Sequence, residues 1–115
     1  MRLCLNTDGL QELSFEDMLD VAAEIGVESL EFGCGNWSPA PHLNLDEMIK
    51  SEEARKRFMD AIHSRGLVLE TLNCSGNQLD PREEGRLHQQ VVEKTFALAQ
   101  MLGIKKVVMM SGLPG

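Results

Sequence analysis

The chain has 115 residues, of which 43% are hydrophobic and 25% charged, enough for one small domain that buries roughly two thirds of its unfolded surface. A formal net charge of −7 argues against a nucleic-acid surface, which needs clustered Lys and Arg, and against an anionic membrane surface. Three cysteines, Cys4, Cys34 and Cys74, are an odd number without metal-like spacing, which argues against a disulfide scaffold and for a reducing cytoplasmic compartment. The first residues carry Asp8 and Glu12 and do not read as a signal peptide, and every apolar run is far short of a membrane span.

A first strand is predicted at residues 2–5, closing on the turn-rich Asn6-Thr7-Asp8-Gly9. Ser14 reads as a helix cap with Asp17 three residues on, and Phe15, Met18, Leu19, Ala22 and Ile25 recur at helical spacing. Gly26 ends that helix and a second strand follows at 27–32. The longest loop, 33–44, contains Pro39 and Pro41, which are expected to keep it extended. A helical turn is predicted from Asp46, then a helix over 51–65 with Phe58, Ala61 and Ile62 inward and Gly66 at its end. The third strand is placed at 67–72. Asp80-Pro81-Arg82-Glu83 then supplies cap, first-turn proline and glutamate in order. Leu87, Val91, Thr95, Leu98 and Leu102 form the buried stripe of that helix, Gly103 ends it, and a fourth strand runs over 104–110. The order β-α-β-α-β-α-β implies an α/β fold with a parallel sheet. No helix follows the fourth strand, so the expectation is a single partial domain over 1–115, the front half of a larger α/β protein.

In parallel α/β folds ligands sit beyond the carboxyl ends of the strands. Here those loops are rich in Asn, Ser, Gly and Cys, whereas the opposite ones are little more than a glycine each. Alternation puts Leu30 and Phe32 under the helices and Ser29 and Glu31 on the other face, with Asn6, Asn73 and Ser111 projecting inward at their strand ends. Glu31 reads as a base, an acceptor for a sugar hydroxyl or an anchor for its neighbours, with binding or anchoring preferred over direct catalysis. Trp37 offers a flat apolar face for a sugar, or a packed loop anchor. His42 reads as a substrate ligand, proton donor or metal ligand, although a lone histidine is more often none of these. Cys74 reads as a soft pocket wall or an inert thiol, and His63 and His88 as structural or exposed. Residues 33–38 (GCGNWS) look like a damaged phosphate-binding G-x-G-x-x-G, but Pro39 and Pro41 lead the chain away from the helix such a site needs.

The segments 26–33 (GVESLEFG), Asn36-Trp37-Ser38 with His42, 72–77 (LNCSGN) and 97–112 (ALAQMLGIKKVVMMSG) together resemble the N-terminal half of sugar phosphate isomerases/epimerases. Those proteins belong to the xylose-isomerase-like TIM-barrel superfamily. The resemblance implies half of a (β/α)8 barrel and, in the full-length parent, a divalent metal (Mn2+, Mg2+, Co2+ or Zn2+) with carboxylates that move a proton on a ketose, aldose or inosose. The metal ligands of that branch come from later strands, so no catalytic residue and no metal ligand is expected in this stretch, which is expected to be inactive alone. What carries over is substrate-side: Asn6, Glu31, Trp37, His42, Asn73, Cys74 and Ser111. An endonuclease role is disfavoured, because Asn73-Cys74 and Ser111-Gly112 stand where that branch has metal histidines. The expected partners are a small carbohydrate and, through open sheet edges, a second copy or a protein supplying the other half-barrel. Two further readings remain: a non-catalytic half-barrel binding a small sugar or a partner protein, and a flavodoxin-like domain with its first strand inside the sheet and helices on both faces.

Overall fold

A computed structural model describes residues 3–109. The elements alternate as the hydrophobic periodicities require. They are β1 (Cys4–Asn6), α1 (Phe15–Ile25), β2 (Ser29–Gly33), α2 (Leu45–Lys50), α3 (Glu52–His63), β3 (Val68–Asn73), α4 (Glu83–Leu102) and β4 (Lys106–Val108), with a short 3-10 turn at Thr7–Leu10. All strand pairs are parallel and the sheet order is β1-β2-β3-β4. A sequential order keeps successive right-handed crossovers on one side of the sheet. It also removes the flavodoxin-like alternative, in which the first strand lies inside the sheet.

Side-chain oxygens cap the helices where Ser and Asn precede apolar runs. Ser14 Oγ accepts from the Asp17 amide at 3.2 Å, Asn44 Oδ1 from Glu47 at 3.1 Å and Ser51 Oγ from Ala54 at 3.0 Å. The predicted start of the last helix is two residues early. Asp80 does not cap a helix begun by Pro81; its Oδ1 accepts from the Arg82 amide at 2.8 Å and its carboxylate grips the Arg82 guanidinium, and the helix starts at Glu83. The buried stripe of α4 is Val92, Thr95, Leu98 and Ala99, and Leu87 is exposed. Ile25, placed inward from sequence, is exposed as well. Nor is the loop after β2 extended: Asn36 and Ala40 take φ of 65° and 48°, and Ser38 Oγ accepts from the Ala40 amide, so the segment turns twice despite its prolines.

One apolar layer joins the sheet to the helices. Leu30, Phe32 and Leu72 are fully buried beneath Met18, Leu19, Ile62 and Leu98. Phe15, Phe32 and Phe58 meet in a cluster with ring centroids 4.9–6.1 Å apart, the Phe32–Phe58 pair edge-on and the Phe15–Phe58 pair stacked. The other face of the sheet has a different chemistry, with Asn6, Ser29, Glu31, Glu70, Asn73 and Lys106 joined by hydrogen bonds and an ion pair. That face is concave in a barrel and becomes its interior. Between Leu30 and Glu31 the pairing with β3 slips by one residue: Leu30 is level with Leu69, but Glu31 is level with Thr71. The extra residue, Glu70, lets Leu69 and Leu72 both lie under the helices while Asn73 turns inward.

Candidate functional site at the carboxyl ends of the strands

Three neighbouring strands deliver one polar group each to the same end of the sheet. Asn6 Nδ2 and Asn73 Nδ2 both donate to Glu31 Oε2, at 2.8 and 2.9 Å. Both amides are oriented from behind, because Asn6 Oδ1 accepts from the Asp8 amide at 3.0 Å and Asn73 Oδ1 from the Ser75 amide at 2.9 Å. The two bonds share Oε2, and each Asn Nδ2 keeps a second hydrogen. The tripod therefore presents two aimed N–H donors and a carboxylate edge to whatever enters. The sequence-derived parity of Asn6 and Glu31 fits this arrangement, and Asn73 joins them through the offset in β3. Ser111 lies outside the described residues.

Below the tripod, Ser29 Oγ donates to Glu70 Oε2 at 3.0 Å, and Lys106 Nζ stands 3.8 Å from Glu70 Oε1. Above it, the loops after β2 and β3 are stitched together. The Trp37 amide donates to Ser75 O at 3.0 Å, and Asn36 Nδ2 bonds the carbonyls of Cys74 and His88 at 2.9 and 3.2 Å. His88 Nδ1 accepts from the Asn77 amide at 2.8 Å, so this helix histidine holds the β3–α4 loop. Trp37 as a whole residue is 43% exposed, on the rim of this end. Cys74 is fully buried and Cys34 nearly so. Burial pushes the Cys34 thiol up to about 12 and raises Cys74 as well, so both remain neutral packing groups. His42 is separated from the tripod. It is buried, and its Nε2 lies 2.9 Å from Leu13 O.

Four residues of this end escaped the sequence reading. Thr7 Oγ1, Asp8 Oδ1, Asn36 Oδ1 and Gln78 Oε1 are buried polar atoms without a hydrogen-bond partner among the described residues, and all lie in the loops after β1, β2 and β3. A run such as Asn-Thr-Asp-Gly reads only as a turn until the fold shows what surrounds it. Gly33 is part of the same corner: a Cβ there would stand 1.9 Å from Ser38 Oγ and 2.8 Å from Asp8 Oδ1. Among the described residues no three His, Cys, Asp or Glu side chains come together in a way that could hold a metal ion. What this stretch offers on its own is hydrogen bonding and positioning.

No protein-family model matches the chain. Among solved structures it aligns with a xylose isomerase domain containing protein from Salmonella typhimurium LT2, with a TM-score of 0.64 at 19% identity, covering 99% of this chain and 38% of that one. The fold is half of a xylose-isomerase-like TIM barrel. The half-barrel is also 55% identical over 114 residues to the uncharacterized protein YfiH of Bacillus subtilis (strain 168). It spans 36% of that relative's length. No helix among the described residues is long and apolar enough to cross a membrane.

Proposed function

We propose that the half-barrel is the substrate-facing N-terminal part of a cytoplasmic sugar or sugar phosphate isomerase/epimerase. The observation that carries this reading is the tripod, in which two oriented amides and one carboxylate converge at the ligand end of a barrel wall. Such a set suits vicinal hydroxyls, each of which donates once and accepts twice. Trp37 adds a rim surface for the C–H face of a sugar ring. Glu31 is a positioning residue in this scheme: it fixes both amides and holds no reacting proton. A divalent metal, if held by residues of later strands in the full-length parent, would supply Lewis-acid chemistry there. The test is saturation-transfer NMR with D-fructose, D-fructose 6-phosphate and myo-inosose as probes. Asn73→Ala is expected to weaken the bound sugar about tenfold, the worth of one well-made hydrogen bond. Binding of none of the three sugars, or binding indifferent to Asn73→Ala, would remove the reading.

A second reading has its own support. Among the described residues the backbones of β1 and β4 each pair on one side only, and Cys4, Asn6 and Lys106 are exposed. Open edges and an open polar wall favour a non-catalytic role in which the half-barrel docks onto a partner protein or a second copy.

A further inference from the structure

A cavity stands apart from the tripod. It lies on the outer, helical side, enclosing about 700 Å³ between the start of α1, the loop leading into α2, and the middle of α3. Asn6, Glu31, Trp37 and Asn73 do not line it. Every wall is built within the span from Phe15 to Ala61, so the cavity is formed without the elements that would complete a barrel. Its floor is apolar, with Phe15 stacked on Phe58 at 5.0 Å and Met48 and Leu43 beside them. The volume falls in the range of small-molecule sites, which combine an apolar body with a few fixed polar groups.

The polar groups here are almost all acceptors. His42 is 7% exposed, and its Nε2 faces the Leu13 carbonyl at 2.9 Å. A carbonyl only accepts, so Nε2 carries the proton and Nδ1 of the neutral ring is an acceptor. That Nδ1 is buried and has no partner among the described residues. An orphaned buried acceptor is costly unless a donor reaches it. Two carboxylates, Glu16 and Glu47, stand at the rim without an ion-pair partner among the described residues. The one cation of the lining, Arg57, is already engaged by Glu53 at 3.0 Å. An anionic ligand would meet two free carboxylates and a lone pair, whereas a cationic donor would satisfy all three.

We propose that this outer-wall cavity binds a small protonated amine with an apolar body, which rests on Phe15 and Phe58 and turns its ammonium to His42 Nδ1, Glu16 and Glu47. The site is independent of the barrel mouth, so it stands or falls separately from the sugar reading.

The experiment titrates the 15N-labelled chain with benzylamine hydrochloride, and in parallel with benzyl alcohol and sodium benzoate. Benzylammonium is expected to produce saturable amide shifts confined to the segments around α1, α2 and α3, with low-millimolar affinity suited to so small a ligand. The His42 ring nitrogens, read in a long-range 1H–15N spectrum, are expected to show Nδ1 gaining a hydrogen bond while Nε2 keeps its proton. Benzoate is expected to bind at least ~10-fold more weakly, and benzyl alcohol to fall between the two. The double variant Glu16→Gln, Glu47→Gln alters only exposed side chains and is expected to abolish the preference for the cation. His42→Gln keeps a donor for the Leu13 carbonyl while removing the Nδ1 acceptor, and is expected to weaken benzylammonium with little change in thermal midpoint. Equal binding of benzoate and benzylammonium, shifts centred on Asn6 and Asn73, or no saturable shift with any probe would each overturn the proposal.

Discussion

At the scale of single residues, Gly33 shows how tightly the loop after β2 is folded onto the end of β1. A methyl group at this position has nowhere to go, because Ser38 Oγ and Asp8 Oδ1 already occupy its surroundings. Gly33→Ala is expected to lose about 1–3 kcal/mol in urea denaturation, the usual cost of overpacking. Adding Ser38→Gly removes the nearer atom and is expected to recover part of that loss, which a generic helix- or strand-propensity effect would not do. None of this was legible in the sequence, where Gly33 looked like one glycine of a damaged phosphate loop. Asn6 and Glu31 were legible because strand alternation alone decides which face they take. His42 shows the limit of that method. A loop histidine beside prolines has no periodicity to fix its direction, and its attachment to Leu13 O depends on where α1 begins.

Among the elements, helix ends were read well wherever a single side chain decides them. Gly26 and Gly103 take the left-handed φ of 87° and 72° just past α1 and α4, and Ser14 and Ser51 cap as their positions suggest. The start of α4 was misread because two partners compete for Asp80. Its side chain is only 4% exposed and is held by Arg82, which keeps its carboxyl at about 2 and diverts it from capping. The offset in β3 was invisible for a different reason: one extra residue leaves the apolar pattern looking like an ordinary short buried strand. It also carries a test. With Glu70 present, Leu69 and Leu72 lie under the helices and Asn73 reaches Glu31. Deleting Glu70 leaves Leu69, Thr71, Leu72 and Asn73 in strict alternation, each level with the same β2 residue as before and on the same side. Glu70→Ala keeps the frame and loses the side-chain contacts of Glu70, those to Ser29 and Lys106 among them. The deletion is therefore expected to lower the urea midpoint no further than the alanine variant and to keep the Asn73 side-chain amide signals typical of a bonded NH2. A deletion far more damaging than the alanine variant, or one that loses those Asn73 signals, would show that the strands do not simply close up over the extra residue.

For the whole molecule, the sequential sheet with helices on one side leaves one wall covered and one bare. The order of elements narrowed this to few arrangements, and the strand order β1-β2-β3-β4 then excluded the one with helices on both faces. What the sequence did not reveal is how polar the bare wall is, because that depends on the Glu70 offset and on side-chain pairing across strands. If the wall and its edges seek company, sedimentation velocity should show an average mass that rises with protein concentration. A monomer unchanged across the accessible range would count against docking between copies. The composition of that wall also restricts what can close over it. Among the described residues Glu31 and Glu70 face inward, Glu31 held by two amides and Glu70 approached by Lys106. A greasy lid would strand a carboxylate away from water, a penalty of several kcal/mol. Whatever surface meets this one is therefore selected by the donors and cations it brings before its shape is put to the test.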